Sequence, residues 1–114
     1  MTPSEFQSLR NDLNSIGGLK LILGGQSMAP AIKDRETVSF VPVDARRLRK
    51  FDIVAFYDRH SLVCHYVSEI TNEHCVCKSL QFPGEDCVPF ESLLGRVSSH
   101  RLTWWRKLFL ALFG

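Results

Sequence analysis

A mainly β domain, built as a coiled antiparallel sheet or small barrel, is predicted by three features of the sequence. Short stretches rich in Val, Ile, Phe and Thr recur along the chain, each bounded by turn or charged residues. No helical periodicity separates them, which argues against parallel strands joined by crossover helices. The triplets Asp58-Arg59-His60 and Thr71-Asn72-Glu73 sit between such stretches, where hairpins would close. With 114 residues, 45% apolar, and a formal net charge of +2, the chain suits one domain with a real core.

Taken in order, residues 1–18 read as an amphipathic helix. Thr2, Pro3 and Glu5 fit a capping box with proline at the first helical position. Phe6, Leu9, Leu13 and Ile16 then form one apolar stripe, and Gly17-Gly18 stops the helix. Such a stripe packs on its own domain or docks on a membrane or partner. Residues 19–102 hold the strands: Leu19 to Leu23, Thr37 to Val43, Ile53 to Tyr57, Leu62 to Ile70, His74 to Ser79 and Leu94 to Leu102. Arg46, Arg47, Arg49 and Lys50 fall in a connector and read as a solvated loop. Residues 103–114 form a basic, aromatic and apolar tail. Its Trp104, Trp105, Lys107 and Phe109 suit the headgroup layer of a membrane, a C-terminal helix covering the sheet, or a dimer contact.

Composition also excludes function classes. Fourteen basic and twelve acidic residues nearly cancel, so a dedicated nucleic-acid binder is not expected. No apolar run approaches the roughly 18 residues of a membrane span, and the polar Met1 to Ser15 is no secretory signal. The four cysteines are therefore expected as thiols in the cytoplasm, with the tail a possible contact to the inner membrane surface. Cys75 and Cys77 share a strand face that His74, Cys64 and Cys87 could approach, as zinc would require. Paired C-x2-C spacing is missing, however, and small buried residues explain the pattern. Neither a metal nor a cofactor is expected.

Chemistry centres on Gly24-Gly25-Gln26-Ser27-Met28-Ala29-Pro30, where glycines free the backbone for a tight turn that exposes a serine. Main-chain amides in such a turn can face a developing oxyanion, but the serine needs a base. His65 lies on the face of its strand shared by Val63 and Val67, where a rigid sheet would hold the imidazole. His60 and His74 fall in predicted turns and read as exposed, while His100 belongs to the basic tail.

Gly25-Gln26-Ser27-Met28-Ala29-Pro30-Ala31-Ile32 resembles the Ser-Met-x-Pro box of type I signal peptidases and the related self-cleaving repressor proteases. Further boxes follow in that family's order. Lys50-Phe51-Asp52-Ile53-Val54-Ala55-Phe56 resembles its Gly-Asp-Ile-Val strand with Phe51 in the glycine's place. Val63-Cys64-His65-Tyr66-Val67 resembles the box of the general base, and Leu93-Leu94-Gly95-Arg96-Val97 the closing Gly-Arg-Val strand. The base box carries histidine, so the resemblance is to the histidine type, the archaeal and endoplasmic-reticulum kind, with Tyr66 where arginine is normal.

This resemblance implies a serine endopeptidase that cleaves a dedicated precursor, such as a leader or signal-like segment. Ser27 would be the nucleophile, His65 the base and Asp86 the acid that orients it, with Glu85 the fallback. Amides of Gly25 and Ser27 would hold the oxyanion, Met28 would line a shallow substrate pocket, and Asp52 would hold a turn. Departures from the pattern include Lys78-Ser79-Leu80 in place of a Lys-Gly-Asp box. Gly25 also replaces a hydroxyl donor, and Lys33-Asp34-Arg35-Glu36-Thr37 stands where a Gly-Asp pair is usual. Where the resemblance implies a membrane anchor before the serine box, the polar helix of residues 1–18 is expected instead. A non-catalytic peptide-binding module on the same fold is the alternative reading.

Overall fold

Side chains alternating between the two faces of a seven-stranded antiparallel sheet build two hydrophobic cores. The computed structural model describes residues 1–113. Helix α1 (Pro3–Ile16) precedes strands β1 (Leu19–Leu23), β2 (Glu36–Val41), β3 (Ile53–Asp58), β4 (Ser61–Ile70), β5 (His74–Lys78), β6 (Asp86–Pro89) and β7 (Leu93–Val97). Helix α2 (Trp104–Phe113) follows. The strand order is β1-β2-β7-β3-β4-β5-β6. Because β1 and β6 stand at the two ends of that order, the sheet is open and does not close into a barrel.

Helix α1 begins as expected. The Thr2 hydroxyl accepts from the Glu5 amide at 3.1 Å, and Glu5 accepts from the Thr2 amide at 3.0 Å. At the other end Gly17, left-handed at φ 90°, donates its amide to the Leu13 carbonyl. Phe6 and Leu13 are buried against the sheet, and Phe6 meets Tyr57 edge-on at 5.0 Å. The stripe is shorter than its spacing suggests, because Ile16 stands beyond the sheet and is 76% exposed.

Both predicted hairpins are present. Arg59 and His60 take the positive φ of a two-residue turn joining β3 to β4. Between β4 and β5 the Thr71 hydroxyl accepts the Glu73 and His74 amides. The last predicted strand ends five residues early, at Val97 rather than Leu102. There the Ser99 hydroxyl accepts the Ser39 amide, and Ser98 gives its amide and hydroxyl to the Ser39 carbonyl. Asp86–Pro89, which is not among the predicted strands, pairs with β5 as an edge strand. Residues 104–113 of the tail form α2, with the Thr103 hydroxyl accepting the Arg106 amide. The basic connector is solvent-facing as expected, around a short 3-10 turn at Ala45–Arg47 capped by Asp44.

One core lies under α1 and takes Met28, Ile32, Phe40, Ile53, Cys64 and Tyr66 among others. On the opposite face Leu48, Val54, Phe56, Val67, Cys75, Cys77 and Val88 form the second core. Phe51, in the position where the family's glycine would stand, is left-handed at φ 77° and donates its amide to the Val67 carbonyl.

Close approach of backbone decides one position. A Cβ on Gly95 would fall 2.6 Å from Leu13 and 2.7 Å from the Val41 carbonyl oxygen, so α1 and β2 both crowd β7 there. Gly95→Ala is expected to lower stability by roughly 1–3 kcal/mol, read as a shift in the urea midpoint with an unchanged slope.

Candidate active site

The serine turn hangs between β1 and β2 and is tied down along its length. Met28 and Ile32 sink into the core below it, while the Arg35 amide closes the loop onto the Leu23 carbonyl. From the far side, the connector between β5 and β6 grips it. The Ser79 hydroxyl and the Leu80 amide both donate to the Ser27 carbonyl, at 2.6 and 2.8 Å, and Gln81 donates to the Ala29 carbonyl. Ser27 Oγ itself points at β4, donating to the Cys64 carbonyl at 3.5 Å. A bond that long is weak and easily exchanged.

His65 stands on β4 next to that carbonyl. Strand alternation turns its ring to the face of Val63, Val67 and Phe56, and Phe56 packs edge-on to it at 5.7 Å. Only 14% of the side chain remains exposed. His65 Nδ1 lies 2.7 Å from Asp86 Oδ2. A carboxylate only accepts, so in a neutral imidazole this contact puts the proton on Nδ1 and leaves the lone pair on Nε2. Asp86 reaches the ring from the first residue of β6, paired with Cys77, and lines an open hollow of about 350 Å³ with Phe56, Tyr57 and Arg59.

Thus the residues proposed as base and acid are in direct contact, and Ser27 reaches the main chain beside the base. Among the described residues Ser27 Oγ has no hydrogen bond to the imidazole. Glu85, the fallback acid, is exposed and does not bond His65. Two expectations are corrected. Met28 is 3% exposed and belongs to the core, so it lines no substrate pocket. The Gly25 amide, expected to face an oxyanion, instead donates to Asp34 Oδ1 at 2.7 Å, because the left-handed turn at φ 101° aims it back at that carboxylate. The Ser27 amide donates to no protein acceptor among the described residues.

Asp52 accepts the Arg49 amide through its carboxylate and the Val67 amide through its carbonyl, in keeping with a turn-holding role. Of the other histidines, His60 is exposed as expected, whereas His74 is half-buried and bonds Thr71. His100 leaves the basic tail to pair with Glu36 at 3.0 Å, and with the Lys33 amide, the leading cause, it holds that carboxyl below its usual range. The Cys75 and Cys77 sulfurs lie 3.8 Å apart inside the core, and no three metal-binding side chains converge among the described residues.

Ser79, Leu80, Gln81, Asp34 and Phe56 were not singled out from sequence as site residues. A hydroxyl at the last residue of a predicted strand carries no pattern of its own. Only the mismatch of Lys78-Ser79-Leu80 with the family's Lys-Gly-Asp box marked the place. Comparison of the chain with protein-family models, with curated proteins and with solved structures finds no match.

Burial pushes the Cys64 thiol, whose carbonyl receives Ser27, up to about 12. Its folded value lies above the unfolded one near 9, so its contribution to stability is complete below pH 9 and is lost as pH rises toward 12. Burial raises Tyr66 as well and acts in the same sense. Urea unfolding of the wild type is therefore expected to weaken steadily above pH 9, and Cys64→Ala is expected to flatten that slope while lowering stability at pH 7.

Proposed function

We propose that the chain is a serine endopeptidase of the signal-peptidase-like superfamily, histidine type, acting on a peptide or protein precursor. The observation that carries this reading is the 2.7 Å contact between His65 Nδ1 and Asp86, on the strand whose Cys64 carbonyl receives Ser27 Oγ. The order of the Ser27, Lys50–Phe56, His65 and Leu93–Val97 boxes along one antiparallel sheet supports the same assignment.

In the proposed reaction Ser27 Oγ exchanges its weak bond to the Cys64 carbonyl for one to Nε2. Oγ attacks the scissile carbonyl as Nε2 takes its proton, and Asp86 stabilises the imidazolium. The Ser27 amide donates to the oxyanion. Collapse of the tetrahedral intermediate breaks the C–N bond, and Nε2 returns the proton to the leaving amine. Water then hydrolyses the acyl-enzyme with His65 again as base. The substrate lies extended beside β1, which stands at the sheet edge. A reducing compartment such as the cytoplasm suits the four free cysteines.

A second reading, a peptide-binding module without catalysis, is favoured by the engagement of the Gly25 amide with Asp34 and by the missing Ser27–His65 bond. Incubation with leader-like peptides, followed by mass spectrometry, separates the two. The wild type is expected to cleave, Ser27→Ala and His65→Ala to be inactive, and Asp86→Asn to retain binding while losing about 10⁴ in kcat. Binding of such peptides without cleavage, and no Ser27 adduct with a serine-reactive aldehyde, establishes the module instead.

A further inference from the structure

Helix α2 turns most of its bulk to solvent. Trp104, Trp105, Leu108, Phe109, Leu112 and Phe113 are all exposed, at 48% to 75%, while Leu110 packs inward against the core. The two indoles stack at 4.0 Å and the two phenylalanines meet at 5.2 Å. Phe82, 62% exposed, stands nearby, where it lines a hollow with Pro83 and Leu110. A contiguous apolar surface of this kind marks an interaction site.

Charge selects the occupant. Residues 92–114 contain Arg96, Arg101, Arg106 and Lys107 and no carboxylate. Glu69 and Glu85 line a hollow between the sheet and the inward side of α2, together with Lys50 and Lys78, and Glu36 pairs with His100. A second copy docking on α2 would bring the two sets of cations together. An anionic lipid surface would instead neutralise them, and Trp with Arg and Lys is the composition of an interfacial helix. At about 15 Å, from a rise of ~1.5 Å per residue, the helix is too short to cross a hydrocarbon layer of ~30 Å. Among the described residues no helix is long and apolar enough to cross a membrane.

We propose that α2 and Phe82 dock flat in the headgroup layer of a bilayer containing anionic lipids, with Arg101, Arg106 and Lys107 on the phosphates. The docked face adjoins the serine turn. Pro30 and Ala31 share a hollow with Leu102 and Arg106, and the connector that carries Phe82 also holds the Ser27 carbonyl. If Ser27 is the nucleophile, its substrates are peptides presented at a membrane surface; this last step rests on the function proposed above, whereas lipid binding does not.

Sedimentation of the full chain with vesicles of phosphatidylcholine, with and without about 30% phosphatidylglycerol, tests the docking. The wild type is expected to bind the anionic vesicles, to release as salt rises, and to shift its tryptophan emission to the blue. Trp104→Ala/Trp105→Ala is expected to lower partitioning at least about tenfold, and Arg106→Glu/Lys107→Glu to abolish the preference for anionic lipid. Circular dichroism checks that both variants are folded. No wild-type binding, or equal binding by the folded tryptophan variant, overturns the proposal. So does a dimer in analytical ultracentrifugation that the tryptophan variant dissolves and vesicles leave intact, which would give α2 to a second copy. Ser27→Ala is expected to bind vesicles as the wild type does, so the two proposals fail separately.

Discussion

Adjacent residues of a strand cannot share a face, and on β4 that constraint arranges both the cores and the candidate site. Cys64 and Tyr66 point into the core under α1, while His65 and Val67 point to the opposite side. The carbonyl of Cys64 is left in the plane of the sheet, where Ser27 meets it. Serine and imidazole therefore approach one strand from different directions, one at its edge and the other over its face. A slip of one residue in the pairing of β3 with β4, now Val54 with His65, would turn the ring into the wrong core and away from Asp86.

What holds the site is mostly main chain. The serine turn is fixed by its own carbonyls, gripped by Ser79, Leu80 and Gln81, rather than by contacts to its hydroxyl. That division leaves Oγ with a single weak partner inside a rigid frame, which suits a group that must change partners. Asp34 works in the opposite sense. By capturing the Gly25 amide it stiffens the turn, and it removes a donor that an oxyanion would use.

Periodicity made much of this legible. The stripe of α1, the strands and both hairpins follow from spacing and turn residues, and the alternation of β4 placed His65 among Val63 and Val67 before any coordinates. Long-range geometry was not legible in the same way. Nothing local in Asp86-Cys87-Val88-Pro89 announces a strand, because its pairing with His74 to Cys77 supplies the reason it forms. The burial of Met28 and the bond between Gly25 and Asp34 depend on how the loop folds back across its base, which neither spacing nor composition encodes. Ser98 and Ser99 ended β7 early because a hydroxyl can replace a ladder partner, a competition that β propensity ignores.

Phe51 carries a consequence for motion. A left-handed phenylalanine has a narrow basin, costing roughly 1–3 kcal/mol, offset here by its ring lying 6.2 Å from Tyr66 and 5.1 Å from the Lys50 ammonium. With its amide also bound to Val67, the corner at residues 50–52 has few alternative states to visit. Phe51 and Leu110 border the same hollow, so this stiff corner forms the floor beneath α2. Residues 98–103, which join β7 to α2, are held as well: Ser98 and Ser99 bond Ser39, His100 pairs with Glu36, and Leu102 is buried in the core.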